Sequence, residues 1–515
     1  MKKIFFSTAI ITLFMVNSVS AQYDGYAALF GRQTFYGGTA RYLSLGGAAT
    51  SLGADLGAAD VNPAGLGMYR KSEFSFSPNF GISGSNTSFL GQPQRDNKGS
   101  FSLSNLGIAI CGMKDDLDKS DWRGGTFSIT MNRTNNFNSR ISFGGSDPGS
   151  SMADYFVQLA NKGPNTTLAD LQAQDPTDPN GTGIISLAGL AYQTWLITNT
   201  TSTGAPYTDY LSPNGETIAK TATYTTTGAQ YKWNIAYGAN YKDKLYIGGS
   251  VGVNTINFKE ALNYTETTTD PSTVAFNTFT FDDYNKIKGT GLNLKLGYIY
   301  KASDLIKFGS TITTPTYYWM NQTYSSDLSA IYPASNQSGA TPGTTYSQST
   351  VPGYFKFNYT TPLKLAAGMS IFAGKKGFVS GDIEYVPYQL SSLSSKNNSD
   401  NAFLQPYNKI INNSYLNVVN FKIGGELRID IFRLRAGLAY LPNPYKYNDK
   451  VNRNIEQISV GAGVKLNNTY FDFGLINTRY QSTYQPYSLD NFATPIAVSK
   501  NSFVNAVVTM GFYFE

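Results

Sequence analysis

Between Phe421 and Ile429 the residues Phe421, Ile423, Leu427 and Ile429 are large and apolar, while Lys422, Glu426 and Arg428 fill alternate positions. A strand turns successive side chains to opposite faces, so this segment has one greasy face and one charged face. The same alternation recurs in at least a dozen segments, down to the C-terminal Phe512-Tyr513-Phe514-Glu515. Greasy outward and polar inward faces on many strands are what a transmembrane β-barrel requires. The expected fold class is therefore all-β, a transmembrane antiparallel barrel.

The beginning of the chain fits export. Lys2 and Lys3 precede an apolar run from Ile4 to Val16, and Val19-Ser20-Ala21 supplies small residues before Gln22. This predicts a secretory signal over residues 1–21. The apolar run is too short for a membrane helix, which needs roughly 20 residues. No cysteine follows Ala21 closely, so no lipid anchor is expected. A cleaved leader followed by a barrel places the chain in a bacterial outer membrane.

Composition removes several functions. The chain has no histidine and one cysteine, Cys111. A Ser-His-Asp triad, a histidine zinc site and histidine-ligated haem are excluded, and no metal or other cofactor is expected. Cys111 sits in the apolar stretch Leu106–Gly112 and reads as a small hydrophobe. Formal charge is only +6, with Lys2 and Lys3 in the leader, so nucleic acid is not an expected partner. Mean hydropathy of −0.25 conceals the greasy faces, because alternation cancels in any average. The 37 Tyr and 32 Phe suit aromatic girdles at the two membrane interfaces.

Short and long connections alternate. Asn467-Asn468, Asp430–Phe432 and Lys242–Lys244 read as hairpin turns on the periplasmic side. The stretches 260–285, 320–352, 392–414 and 482–500 are long and rich in polar residues, as external loops are. Strands are predicted at 72–83, 101–112, 124–144, 228–241, 245–259, 286–301, 306–319, 353–372, 377–391, 415–429, 433–440, 454–466, 469–481 and 501–514, fourteen in all. The barrel thus occupies 72–515.

Two regions differ in kind. Loop 145–227 carries two stretches with helical spacing: Ser151 to Leu159, with Met152, Phe156 and Leu159, and Ile184 to Ile197, with Leu187, Leu190, Ala191 and Trp195. Short helices there form an external lid, whose apolar face needs either the barrel rim or a greasy ligand. Residues 22–71 precede the first strand and are rich in small residues, including Gly46-Gly47-Ala48 and Asn62-Pro63-Ala64-Gly65-Leu66-Gly67. That segment is a candidate plug in the lumen. A phosphate-binding loop is the rival reading, but no Gly-Lys-Ser/Thr follows and no βαβ pattern surrounds it.

These residues resemble the hatch of the FadL and TodX type of outer-membrane transporters for hydrophobic compounds. Asn62-Pro63-Ala64-Gly65-Leu66 matches the family's Asn-Pro-Ala motif, preceded by Gly-Gly-Ala at 46–48. Thr361-Pro362-Leu363-Lys364-Leu365, Asp382-Ile383-Glu384-Tyr385-Val386, Gly425-Glu426, Arg433 to Gly437 and Pro444-Tyr445 are similar to further family positions. The resemblance implies passive uptake of long-chain fatty acids or aromatic hydrocarbons. It also implies an apolar pocket inside the barrel, a hatch gated by Asn62, Pro63, Ala64 and Gly65, and exit sideways through a kink in an early strand. The matching strand here is 124–144, interrupted by the polar run Asn132–Asn138. Leu66, Met68, Phe156, Leu159, Leu187, Leu190 and Trp195 are the candidate ligand contacts.

Charged inward positions include Asp382, Glu384, Lys422, Glu426, Arg428, Arg433, Arg435 and Asp472. Opposite signs on adjacent strands predict pairing along the lumen wall. A carboxylate-binding track is the other reading, in which a lone cation holds a fatty-acid headgroup. The expected partners are a hydrophobic small molecule, outer-membrane lipid, and barrel-assembly machinery that recognises the aromatic C-terminus. A monomer is expected, because a closed barrel has no free edge. The competing function is a surface barrel whose Ser/Thr/Asn-rich loops bind other molecules; a hydrolase is disfavoured because the usual serine-activating base is missing.

Overall fold

The computed structural model describes residues 29–32, 37–114, 118, 120–163, 166–178, 181–201, 204–209, 217–268, 276–332, 341, 343–447, 449–490 and 492–515. The expected leader lies outside the described residues. Fourteen antiparallel strands close into one barrel. They are β1 (Ser72–Phe89), β2 (Gln92–Met113), β3 (Trp122–Asn136, continued by Ser139–Asp147), β4 (Ile218–Tyr241), β5 (Leu245–Thr268), β6 (Thr278–Lys301) and β7 (Ile306–Thr313 with Tyr317–Ile331). The circuit continues through β8 (Gly353–Thr360 with Lys364–Phe372), β9 (Gly377–Pro387), β10 (Asn417–Ile429), β11 (Phe432–Leu441), β12 (Ile455–Lys465), β13 (Thr469–Tyr484) and β14 (Ala497–Phe514). It closes where β14 pairs with β1, Ser72 opposite Phe514 and Ser88 opposite Val498.

The alternation read from the sequence is the alternation of the wall. On β6, Leu292, Leu294, Leu296, Tyr298 and Tyr300 are exposed on the outer surface, while Asn293 and Ile299 between them are buried. Two neighbouring strands break side by side, β7 at Thr314-Pro315-Thr316 and β8 at Thr361-Pro362-Leu363. Proline has no amide hydrogen for the ladder. The break is bridged instead by Thr316 N donating to Thr361 Oγ1 at 2.8 Å and Thr361 N donating to Thr316 O at 3.0 Å.

Several strands run further than the sequence reading placed them. β4 begins at Ile218, β5 ends at Thr268, β7 ends at Ile331, and β1 and β2 meet in a tight turn at Leu90-Gly91. The outer faces of these extensions carry mostly Thr, Ser and Asn, so they lack a greasy outer face, while inward residues such as Leu262, Tyr264 and Leu328 are apolar and buried. Thr and Tyr still favour the pleated backbone, and pairing continues into water.

Inside the ring, on the short-turn side, runs the segment from Thr39 to Tyr69. It holds α1 (Ala40–Ser44), α2 (Ala58–Val61) and a 3₁₀ turn, Pro63–Met68. At the long-loop end stand α3 (Met152–Lys162), α4 (Leu168–Gln172) and α5 (Leu187–Gln193), and also α6 (Asn398–Ser414). Ser151 caps α3 in a capping box with Asp154. Helix α6 falls in a stretch read from sequence as a polar loop.

Candidate functional site in the barrel lumen

The inner segment is fastened to the wall by named polar contacts. Asp382 Oδ2 accepts from Ala49 N, Thr50 N and Thr50 Oγ1, each at 2.8 Å. Arg41 Nε donates to Glu426 at 3.2 Å, and Ala40 N donates to Thr509 Oγ1 at 2.7 Å. Lys232 Nζ and Asn234 Nδ2 donate to Asp60 Oδ1 at 2.7 and 2.6 Å. Burial favours the neutral acid of Asp60, but Lys232 and Lys295 outweigh it and hold the carboxyl well below the usual carboxylate range.

Asn62 joins three pieces of chain. Its Nδ2 donates to Thr50 O at 2.6 Å and to Tyr298 O of β6 at 3.1 Å, and its Oδ1 caps Ala64 N at 3.1 Å. Pro63 follows as the first residue of the 3₁₀ turn, where its missing amide hydrogen has no cost. The wall makes room for it with glycine, since a Cβ at Gly248 would lie 2.4 Å from Pro63 C. Gly65 meets the chain again, a Cβ there falling 2.9 Å from Leu52 O. Ala64, Leu66 and Met68 pack on the wall. Leu66 lies among Leu56, Ala59, Tyr69, Ala109 and Ala236, and Met68 lies beside Ala64, Tyr246 and Ile299.

Above this segment is a cavity of about 100 Å³ whose lining includes Lys232, Lys295, Lys364 and Lys422 against Asp60, Asp382 and Glu384, with several threonines. It is polar, with four ammonium groups facing three carboxylates. Phe30 and Tyr318 form part of its boundary and belong to a larger aromatic cluster higher in the lumen. That cluster brings together Phe137, Ile256, Phe258, Met320, Phe355, Phe357 and Tyr359. Helix α6 roofs it with Leu404, Tyr407 and Ile411. Phe30 sits at its centre, with ring centroids 5.9 Å from Phe137 and 5.8 Å from Phe258.

The wall beside the cluster is interrupted. The ladder between β2 and β3 runs from Met113 opposite Gly124 only as far as Asn105 opposite Asn132. Beyond it, among the described residues, the 92–104 edge of β2 has no ladder partner on that side, although its other edge stays paired with β1. The second half of β3 remains paired with β4, after a register shift between Arg133 and Asn135. It also leans inward: the lumen-facing Ser85 of β1 donates to Arg140 O at 2.7 Å. The cause is local. Asn135 Oδ1 accepts from Asn136 N, and Asn136 Oδ1 accepts from Asn138 N, side-chain turns that compete with the ladder. Opposite them Gly228, at φ 114°, accepts from Phe137 N, and a Cβ there would strike Asn257 O at 1.9 Å.

The remaining sequence candidates fall into two groups. Phe156, Leu159, Leu187 and Leu190 are buried together against rim residues Tyr264, Phe279, Phe281, Leu328 and Tyr332, so the apolar face of the lid rests on the barrel. Trp195 stands apart, 42% exposed just beyond α5. Of the charged candidates, Glu426 accepts from Arg435 Nε and Arg428 Nε, each at 2.8 Å, and Arg435 Nη1 reaches Asp472 at 2.6 Å. Glu384 lies 4.0 Å from Lys422 and accepts from Asn420 at 2.9 Å. Arg433 does not join them; it donates to Asp430 O and Phe432 O in the short turn.

Sequence reasoning missed Arg41, Asp60, Lys232, Lys295 and Lys364 as lumen charges, and also the aromatic cluster. The cluster had a signal. In Tyr354–Phe357 the aromatics Phe355 and Phe357 are buried while Tyr354 and Lys356 between them are exposed, so the greasy face is the inner one. Tyr318 behaves likewise: Tyr317 and Trp319 face outward as girdle residues do, and Tyr318 is buried inside.

The sequence matches no family model and no curated protein. Solved structures do match. A Pseudomonas aeruginosa FadL homologue superposes with a TM-score of 0.54 at 10% identity, over 93% of this chain and 99% of that one. The Pseudomonas putida toluene transporter TodX matches over the same shares, with a TM-score of 0.49 at 12% identity. The strand count, the closure and the superposition over nearly the whole chain agree: the fold of this protein is that of the FadL-type barrels.

Proposed function

We propose that this chain is a passive outer-membrane channel for hydrophobic small molecules, long-chain fatty acids or aromatic hydrocarbons, in which residues 22–71 act as the hatch. The observation that carries the reading is an aromatic cluster inside the lumen beside a break in the wall. A greasy molecule gains little from a water-filled pore and much from such a surface. Burying ten methylenes contributes on the order of 8 kcal/mol before ordering costs, enough for micromolar capture.

Phe30 now holds the place that such a ligand would take, so uptake displaces it. The way down is unfavourable for a greasy molecule, because the next space is the cavity lined by Lys232, Lys295, Lys364 and Lys422. The way out is sideways, between β2 and the displaced half of β3. Asn62 couples the hatch to this movement through Thr50 O and Tyr298 O, and Pro63 keeps its turn rigid. The closed ring supports a monomer, and the outward aliphatic and aromatic faces support an outer-membrane location. In that setting Phe512-Tyr513-Phe514 serves recognition by the assembly machinery.

The double variant Asn62→Ala with Pro63→Ala tests gating. Uptake of a fluorescent long-chain fatty acid should fall severalfold in cells carrying it, while heat-modifiable gel mobility shows a normally assembled barrel. Unchanged uptake removes the hatch from the mechanism. Uptake no greater than in cells without the protein, together with binding of cells or surface polymers by the loops, favours the surface-interaction reading instead.

A further inference from the structure

Arg133 stands at the lip of the wall opening, one residue beyond the last β2–β3 pair, and among the described residues its charge has no counter-ion. The residue is only 3% exposed. Its Nη2 donates to Asn136 Oδ1 at 2.7 Å and to Gly228 O at 3.5 Å, and the guanidinium lies 6.0 Å from the Tyr231 ring centre. Nε and Nη1 are buried with no hydrogen-bond partner. No carboxylate among the described residues forms an ion pair with it.

Other buried arginines of the lumen are treated differently. Arg435 is shared between Glu426 and Asp472, and Arg32 donates to the carbonyls of Leu441, Pro442 and Arg453. A buried guanidinium left with open donors is strongly unfavourable unless something else satisfies it. Neighbouring polar atoms share the deficit: Asn105 Oδ1, Asn132 Nδ2 and Asn136 Nδ2 also lack partners. The polar lip is therefore incomplete in this state.

The backbone at Arg133 is in contact with the inner segment. Gly37 crosses the Arg133 backbone so closely that a Cβ there would fall 1.9 Å from Arg133 O. Asn135, two residues on, donates to Leu29 O at 3.0 Å and to Arg32 O at 3.5 Å. Displacing Phe30 from the aromatic cluster pulls on this same stretch of chain. Phe137, four residues from Arg133, lines the cluster itself.

Resting on the uptake reading, we propose that Arg133 is the headgroup acceptor at the lateral exit, so the channel prefers an acidic amphipath over a neutral one. When the inner segment beside Arg133 shifts, the open Nε and Nη1 donors of that arginine meet the carboxylate, and the tail stays against Phe137 and Phe258. A buried guanidinium with unused N–H donors suits a carboxylate oxygen, and such charge-assisted bonds are the strong ones.

The test measures binding of oleate and of oleyl alcohol to the full-length mature barrel in mild detergent, for wild type, Arg133→Gln and Arg133→Lys. Wild type should prefer oleate, and Arg133→Gln should lose about tenfold in oleate affinity while binding oleyl alcohol as before. Unchanged alcohol binding shows that the variant is folded. Arg133→Lys, which keeps the charge, should restore part of the preference. An arginine that merely ties the bulge would leave the ratio of acid to alcohol unchanged in every variant, and that result overturns the assignment. If Arg133→Gln binds neither ligand, an absent preference in Arg133→Lys equally overturns it. A wild type that binds oleyl alcohol as well as oleate overturns the headgroup role alone; one that binds neither overturns the uptake reading with it.

Discussion

At the long-loop end the lid lies on the rim through Phe156, Leu159, Leu187 and Leu190, against Tyr264, Phe279, Phe281 and Leu328. At the short-turn end the inner segment packs Leu43, Leu45, Leu52 and Leu66 on the wall and is also tied by buried charge and amide groups, through Asp382, Glu426, Lys232 and Asn234. The lid has polar ties as well: Glu266 accepts from Ser151 Oγ and from Met152 N at the start of α3, Tyr332 donates to Thr194 O, Val351 N donates to Ile184 O at 2.8 Å, and Lys162 pairs with Asp490. Apolar contact is non-directional and tolerates sliding, whereas a set of hydrogen bonds and ion pairs has one satisfied geometry. The difference bears on the proposed uptake: on that reading the inner segment exchanges one bonded arrangement of buried charges for another, whereas the lid shifts against an apolar rim.

The comparison breaks if the two covers fail together. Glu426→Ala strands Arg41, Arg428 and Arg435 without their shared carboxylate, so it should cost about 5 kcal/mol. The loss should appear as a lower unfolding temperature on heat-modifiable gels and as protease cleavage in residues 39–69, with the lid still protected. Phe156→Ala should cost less, about 3 kcal/mol, and should expose α3 and α5 to protease while the inner segment stays protected. Cleavage of both regions in either variant would mean that lid and hatch are one cooperative unit.

The membrane-level wall was legible because a lipid face allows few exceptions. Phe421 to Ile429 gave its strand directly, and the opposed signs of Glu426 and Arg435 foretold neighbours, which the register places directly across from each other. Towards the long-loop end large apolar residues turn inward instead, which is why Phe355 and Phe357 went unread as an inner cluster. Helix α6 was hidden for a related reason. Leu404, Tyr407 and Ile411 have helical spacing, but they sit among Asn, Asp and Ser with Pro406 inside the helix. The run Asn132–Asn138 announced an interruption without its direction, since the inward lean depends on which neighbour keeps its pairing. Arg433 shows the limit of parity: it has the inward phase of Arg435, yet at the end of its strand the turn carbonyls claim it.

The most direct test of the central claim is native mass spectrometry of the mature barrel released from mild detergent, before and after addition of oleate. The account expects a discrete bound fatty or aromatic mass, or stoichiometric uptake of added oleate, which is lost when Phe137 and Phe258 are both replaced by polar residues. A barrel that is empty as purified and takes up neither oleate nor a monoaromatic hydrocarbon would contradict it.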